Sequence, residues 1–205
     1  MTSTAHSASS ANPTPNTNET VCLHDSGDVT LLIGIDEHKQ AVLVSSSVLR
    51  LASPVWKAML DRHWAESEAQ EIPFPDDDVA AMLLVLRIAH LQFHDLPPKK
   101  GLSFEDVLQL AILCDKYDLV KLVRPFLDLN QWAEPFKYSK ATGYRIYQPK
   151  WLFVAWTFGY ENSFDELARR LALTITIAPD GTAKTDKGDL LGPDLPIDIL
   201  GMSPA

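Results

Sequence analysis

Two histidines near the middle of the chain have a spacing that can bind a metal ion. His90 and His94 are four residues apart at the end of a predicted helix, and Asp95 follows them. Histidines at this spacing share one face of a helix, and imidazole nitrogen is a frequent ligand of zinc. The zinc-protease motif H-E-x-x-H also needs a glutamate after the first histidine, where this chain has Leu91. The sequence therefore favours exposed histidines at a helix end, and we expect no bound metal.

Tyr117 and Lys121 form a Y-x-x-x-K pair, which is the spacing of the acid–base residues in short-chain dehydrogenases. That chemistry requires a dinucleotide site, and no glycine-rich turn between a strand and a helix precedes the pair. We expect Tyr117 to complete an apolar helix face and Lys121 to be solvated. No cofactor is predicted.

Two polar runs are better explained as helix caps than as catalytic or cation sites. The three aspartates at 76–78 offer oxygen ligands, but adjacent side chains cannot all converge on one ion, and one of them can cap the following helix. The three serines at 45–47 lack the G-x-S-x-G context of a nucleophile elbow. We expect one of these serines to cap a helix as well.

Three tryptophans, Trp132, Trp151 and Trp156, lie in the C-terminal part of the chain. Aromatic side chains contribute much of the buried area of a protein, so we expect these three to pack in the core. A ligand groove is the alternative, and with it a small-molecule enzyme that has its pocket in this part of the chain. Such an enzyme would need titratable groups with perturbed pKa values in a cleft, which the sequence does not indicate.

Composition narrows the classes of partner. Apolar residues make up 46% and charged residues 22% of the 205 residues, and the formal net charge is −9. This balance argues against nucleic acid or an anionic membrane as a partner, since phosphate binding needs clustered Lys and Arg. No apolar run approaches the roughly 20 residues of a membrane span. Cys22 and Cys114 form neither a disulfide framework nor a zinc motif, which favours an intracellular compartment, cytoplasmic or nuclear.

The N-terminal residues 1–24 have the composition of a disordered segment. They are rich in Ser, Thr, Asn, Ala and Pro, and they lack the basic region and apolar run of a signal peptide. Such a segment buries too little apolar area to offset its ordering entropy.

The rest of the chain predicts strands first and helices later. Hydrophobic periodicity and turn residues indicate strands at 29–34 and 40–44, two short helices up to Leu60, an edge strand near 70–75, and helices starting near 76, 103 and 118. After residue 130 follow a polar connection, a helix near 150–160 that is apolar nearly all round, a helix with a capping box at Ser163 and Glu166, and a hairpin around Pro179. This order is typical of the α+β class.

The order and its residues resemble a BTB/POZ domain over about residues 26–130. The resemblance rests on four stretches: "DVTLLIG", "VLVSSSVLRLASPVWKAML", "EIPFPDDD" before a helix, and "LSFEDVLQLAILCDKYDL". It implies that residues 25–130 form a short three-stranded sheet packed with a helical cluster. Residues 131–205 are similar to the helical extension of many filamentous-fungal BTB proteins, with a small C-terminal hairpin.

One feature of the family pattern is incomplete. Many animal members have a histidine and a basic residue after the second strand, where this chain has Ser45 and Ser46. In those members the basic residue forms a charged, corepressor-binding pocket with an aspartate of the first strand. Only that aspartate, Asp28, is matched here, so the resemblance does not imply this pocket.

The resemblance implies a non-enzymatic protein–protein interaction module that self-associates or binds other proteins. A substrate adaptor of a cullin-type ubiquitin ligase is an alternative, although the acidic motif of cullin-binding members is not found. In many family members the helical region at 48–60 is the dimer interface, with the positions of Leu49 and Trp56 pointing into the core.

The candidate interaction surface, and the expected site of a homodimer, is therefore the neighbouring apolar stripe: Val48, Leu51, Val55 and Met59. The alternative is that the extension or the first strand of the same chain covers this stripe, and Pro54 can shift its phase.

Overall fold

The computed structural model describes residues 20–63, 71–137, 150–179, 182–185 and 188. Its main sheet has four strands: β1 (Val21–Cys22), β2 (Val29–Ile33), β3 (Gln40–Val44) and β4 (Glu71–Phe74). Their order in the sheet is β1-β3-β2-β4. Strands β2 and β3 are antiparallel neighbours, whereas β1 joins β3 and β4 joins β2 in parallel.

The two central strands alternate between buried and half-buried side chains, as a sheet with one face on the core requires. Leu31, Ile33, Val42 and Val44 are fully buried. Strand β4 lies at the edge of the sheet, where Pro73, which has no N–H to donate, is tolerated. The edge position was predicted from the prolines of this segment.

Seven helices and a second, two-stranded sheet complete the described fold, which confirms the predicted α+β class. Asp78 caps α3 by accepting from the Ala81 N–H, and Ser103 with Asp106 forms the predicted capping box of α4. The helices are α1 (Ser46–Ala52), α2 (Pro54–His63), α3 (Val79–Ala89), α4 (Phe104–Tyr117), α5 (Val120–Leu129), α6 (Trp151–Phe158) and α7 (Glu161–Thr174), and the hairpin is β5 (Thr176–Ile177) with β6 (Ala183–Lys184).

The C-terminal helices belong to the same apolar core that the main sheet and the first five helices form. Helix α6 packs against α4, α5 and α7. Trp132 and Trp151 are fully buried in the same apolar cluster as the main sheet. The helices after residue 150 therefore pack on the preceding domain and do not form a separate core.

The predicted sheet and N-terminal boundary need correction. The main sheet has four strands where three were predicted, because Val21–Cys22 pairs with β3 and the Leu23 N–H donates to the Leu43 carbonyl. Leu23 is buried, so the apolar run Val21–Leu23 gains enough contact to be ordered although it lies in the segment expected to be disordered. The remainder of that segment, residues 1–19, lies outside the described residues.

Two details of the C-terminal helices differ from the prediction. Ser163 is no helix cap: α7 already begins at Glu161, and the buried Ser163 hydroxyl accepts from the Trp151 indole N–H. Trp156 is 50% exposed, although its helix is apolar nearly all round, because α4, α5 and α7 do not enclose α6 completely. The predicted hairpin is present, with strands of two residues each, and its expected turn at residues 180–181 lies outside the described part.

Among the described residues, no helix combines the length and the apolar character needed to cross a membrane.

Candidate interaction surface

The four residues of the predicted surface lie on two helices. Val48 and Leu51 belong to α1, and Val55 and Met59 belong to α2. Ser53 separates the helices in an extended conformation, with φ −143° and ψ 127°, and its hydroxyl accepts from the Trp56 N–H to cap α2. The serine and the proline that follows it therefore end one helix and start the next.

The opposite side of these helices is firmly fixed in the core. Leu49, Trp56 and Leu60 are each 2% exposed, as the family pattern predicted for the first two. Val48, Val55 and Met59 are half-buried, whereas Leu51 is 89% exposed. No described part of the extension and no part of β1 covers Leu51.

An open groove of about 530 Å³ adjoins this surface. It lies between α1, the C-terminal end of α3 and the beginning of α5, and two charged residues, Asp118 and Lys121, lie among its lining residues. The remaining lining is apolar: Val48, Leu51, Ala52, Pro54, Ile88, Ala89, Leu91 and Leu122. We use "the α1 groove" for this cavity below.

Leu91 occupies a helix-terminating position that normally favours glycine. Its φ is +64°, in the left-handed region. The Gln92 N–H donates to the Arg87 carbonyl at 2.9 Å and the Leu91 N–H to the Ile88 carbonyl at 3.2 Å, which is the Schellman pattern of helix ends. A leucine in this conformation costs roughly 1–2 kcal/mol relative to the right-handed one. The Leu91 side chain is nevertheless 72% exposed, so burial within the described chain does not offset that cost.

The start of α1 is held by the strand aspartate of the family pattern. Asp28 accepts from the Ser46 N–H at 2.7 Å and from the Ser46 hydroxyl at 2.6 Å. Partial burial alone would raise the pKa of Asp28, but the bonds from Ser46 and the nearby Arg50 charge lower it below its usual value. Asp28 thus binds the N–H and the hydroxyl of the first residue of α1, at a helix start where the aligned peptide dipoles favour negative charge.

His90 joins the start of α1 to the end of α3. Its Nε2 accepts from the Ser45 N–H at 3.1 Å, so its Nδ1 carries the proton and donates to the Leu86 carbonyl at 2.9 Å. Burial lowers the pKa of His90; the bond to Leu86 opposes this, and His24 adds to the lowering. The Nε2 bond therefore joins the two helices and the Nδ1 bond lies within the end of α3, whereas His94 is exposed beside Asp95.

A buried polar cluster, which the sequence did not indicate, positions α2 on α4. The Ser53 hydroxyl donates to the Tyr117 carbonyl at 2.5 Å, and the Tyr117 hydroxyl donates to Asp77 at 2.5 Å. Lys116 Nζ lies 2.6 Å from the same Asp77 carboxylate. The aspartate run is thus divided between two structural roles, with Asp78 capping α3 and Asp77 binding α4. Its neighbours in the sequence are also aspartates, so the sequence did not indicate that Asp77 would be the buried one.

The structure does not assemble the chemical sites considered from the sequence. Tyr117 is 4% exposed and its hydroxyl is bound to Asp77, whereas Lys121 lines the α1 groove. Within the described residues, no group of three or more His, Cys, Asp or Glu side chains is placed to hold a metal ion. Cys114 is a buried free thiol whose pKa is raised by burial and by the neighbouring Asp115 charge.

Comparison with known proteins adds no assignment, because no family model and no curated protein matches this chain.

Proposed function

We propose that this chain is a non-enzymatic protein-interaction module of the BTB/POZ type that pairs with a second copy of itself through α1 and α2. The observation that carries the proposal is the exposure of Leu51, 89%, beside an apolar groove on helices whose other side is fixed in the core. A rigid apolar surface of this kind is typical of an interaction site. The α+β fold agrees with the family expectation.

The described titratable groups support binding rather than catalysis. The residues with a displaced pKa are Asp28, His90, Cys114, Tyr117 and Tyr160, and none of them lines the α1 groove. Each instead has a hydrogen-bond or burial role between secondary-structure elements. An enzyme would place such groups together in a cleft.

The magnitude of the apolar burial is compatible with a weak dimer. Two-fold symmetry would bury Leu51 and Leu91 from each copy. If each of these four leucines buries roughly 100 Å² of apolar area, at roughly 2.5 kcal/mol per 100 Å², together they contribute about 10 kcal/mol. Association costs about 4–15 kcal/mol, so the half-buried Val48, Val55 and Met59 must contribute as well. Each copy carries a net charge of −9, so repulsion between copies further limits the affinity at low salt.

The test compares charge insertion on this surface with the same change elsewhere. Leu51→Glu, alone and with Val55→Glu, is expected to give a folded monomer, because an unpaired charge buried at the interface is costly. Leu129→Glu with Leu173→Glu is the matched control, since both leucines are exposed on other helices. Light scattering at moderate salt gives the mass, and circular dichroism verifies folding.

Three outcomes decide against the proposal. If the wild type is monomeric at all accessible concentrations, the proposal of self-association is wrong. If that monomer then binds the N-terminal domain of a cullin in a pulldown, the result would support the adaptor function instead. A Leu51→Glu variant that unfolds places this residue in the internal core. Equal loss of dimer in the control pair assigns the interface to another surface.

A further inference from the structure

The extension has a second open pocket, which lies beside the exposed Trp156. It has a volume of about 280 Å³, between the end of α6 and the first turns of α7. The pocket is lined by Ala155, Trp156, Gly159, Glu161, Phe164 and Asp165. We call it the Trp156 pocket. It combines two aromatic rings with two carboxylates.

The junction between α6 and α7 holds another aromatic ring, Tyr160, and the chain places its own cations on that ring. The guanidinium carbon of Arg124 lies 5.5 Å and Lys137 Nζ 4.4 Å from the centroid of the Tyr160 ring. The Tyr160 hydroxyl donates to Asp128 at 2.7 Å, and Arg124 also pairs with Asp128 at 3.6 Å. Aromatic face, carboxylate and cation are all present, so this site is complete within the chain.

The Trp156 pocket has an aromatic face and carboxylates, but the described residues supply no cation to it. No basic side chain lines it, and neither Glu161 nor Asp165 forms an ion pair within the described part of the chain. The Arg124 guanidinium lies close to Gly159, but it is engaged with the Tyr160 ring and the Asp128 carboxylate. As far as the described residues line it, the pocket is therefore acidic and aromatic and holds no cation.

Helix stabilisation explains only one of the two carboxylates. Glu161 is the first residue of α7, where negative charge is favoured by the helix dipole. Asp165 is the fifth residue of the helix, beyond the first turn in which that effect is strong. Trp156 is 50% exposed, so part of its side chain is accessible to a ligand. These are independent observations, and both point to a cationic ligand.

We propose that the Trp156 pocket binds an arginine side chain of a partner protein. A guanidinium group is planar, stacks on an indole face, and donates to more than one carboxylate oxygen, which an ammonium group does less well. The open pocket of about 280 Å³ has room for one side chain. The site is on the extension and does not depend on self-association through α1 and α2.

The experiment uses the full chain, labelled with ¹⁵N, and short peptides as probes. The probes are an acetylated and amidated Gly-Gly-Arg-Gly-Gly, the same peptide with lysine, and the same peptide with citrulline, which has the shape of arginine without its charge. The readout is the indole N–H signal of Trp156, identified by its loss in Trp156→Phe. Glu161→Gln with Asp165→Asn removes the acidic rim. Asp36→Asn with Glu37→Gln is the matched control, because it removes two adjacent exposed carboxylates from another surface.

The arginine peptide is expected to shift the Trp156 signal saturably, with a weaker effect from lysine and none from citrulline. Removal of the acidic rim should raise the Kd of the arginine peptide roughly fivefold or more, as expected when two charge-assisted contacts are lost. The control pair should leave that Kd unchanged. The proposal is overturned if the arginine peptide gives no saturable shift, if citrulline acts equally, or if both double variants weaken binding to the same extent.

Discussion

The hydroxyl of Tyr117 donates a hydrogen bond of 2.5 Å to the carboxylate of Asp77, which lies 40 positions earlier in the chain. Burial and the Asp77 carboxylate both raise the pKa of Tyr117, so the phenol stays protonated and remains a donor. Lys116 binds the other oxygen of the same carboxylate. Because the Tyr117 carbonyl also accepts from Ser53, one residue connects the start of α2, the loop before α3 and the end of α4. The helices that carry the candidate interaction surface are positioned by this contact.

Removal of the Tyr117 hydroxyl should therefore destabilise the whole domain. Tyr117→Phe keeps the ring in contact with Trp56 and Phe74 but leaves one oxygen of a buried carboxylate without its donor. The expected loss in the free energy of unfolding is about 1–3 kcal/mol. Urea unfolding of Tyr117→Phe, Asp77→Asn and the double variant measures the coupling between the two residues. Strictly additive effects would show that the hydrogen bond does not contribute as described.

The sequence predicted those elements of the fold that depend on local patterns. The strand at Gln40–Val44 and the capping box at Ser103 follow from alternation and from side-chain spacing, and both were found at the predicted positions. The strand Val21–Cys22 was missed because two residues show no periodicity, and it forms only through pairing with β3. Local patterns cannot specify such a pairing.

The candidate sites likewise combine features that local sequence predicts with features that depend on tertiary contacts. The apolar stripe with Leu51 could be read from helical spacing, whereas the groove beside it requires the ends of three helices to meet. Trp156 was assigned to the core because aromatic side chains contribute much of the buried area of a protein, but its exposure depends on where α4, α5 and α7 leave α6 uncovered. Ser163 resembled a helix cap, yet tertiary contact with Trp151 decided its role. Residues that act between distant elements are those that spacing alone does not identify.

Protonation of His90 should destabilise the domain in mildly acidic solution. Its pKa is below 6.5 in the folded state, mainly because of burial, so the unfolded chain binds more protons as the pH falls from about 7. The stabilising contribution of neutral His90 is thus fully present above the unfolded pKa and is lost as the pH falls toward the folded pKa. The ring of His24, another titratable group, lies edge-on to this ring, with the two centroids 6.2 Å apart.

Comparison with His90→Gln isolates this contribution. Glutamine can accept from the Ser45 N–H with its side-chain oxygen, but it does not titrate. The difference in the free energy of unfolding between wild type and variant should be constant above about pH 7 and should shrink below about pH 6.5. Urea unfolding at steps between pH 5.5 and pH 8 measures the difference. A difference that does not vary with pH would contradict the assigned protonation state.

The conformation of Leu91 allows association and stability to be separated. Leu91→Gly removes the cost of the left-handed leucine, roughly 1–2 kcal/mol, while glycine loses about 0.5–1 kcal/mol more backbone entropy on folding. The 72% exposed side chain contributes little burial, so the monomer should be unchanged or more stable by up to about 1 kcal/mol. If Leu91 is buried in the dimer, its removal should nevertheless weaken association by tenfold or more, which corresponds to at least about 1.4 kcal/mol.

Stability must be measured at concentrations at which the chain is monomeric, because association stabilises the folded state by mass action. Analytical ultracentrifugation then gives the dimer Kd, with Leu51→Ala as a second variant on the groove and Leu173→Ala as the control on α7. A monomer destabilised by Leu91→Gly would show that this leucine packs within its own chain. An unchanged dimer Kd would show that the α1 groove lies outside the interface. If Leu91→Gly leaves the free energy of unfolding of the monomer unchanged or higher and also raises the dimer Kd, the strained leucine serves binding and not folding.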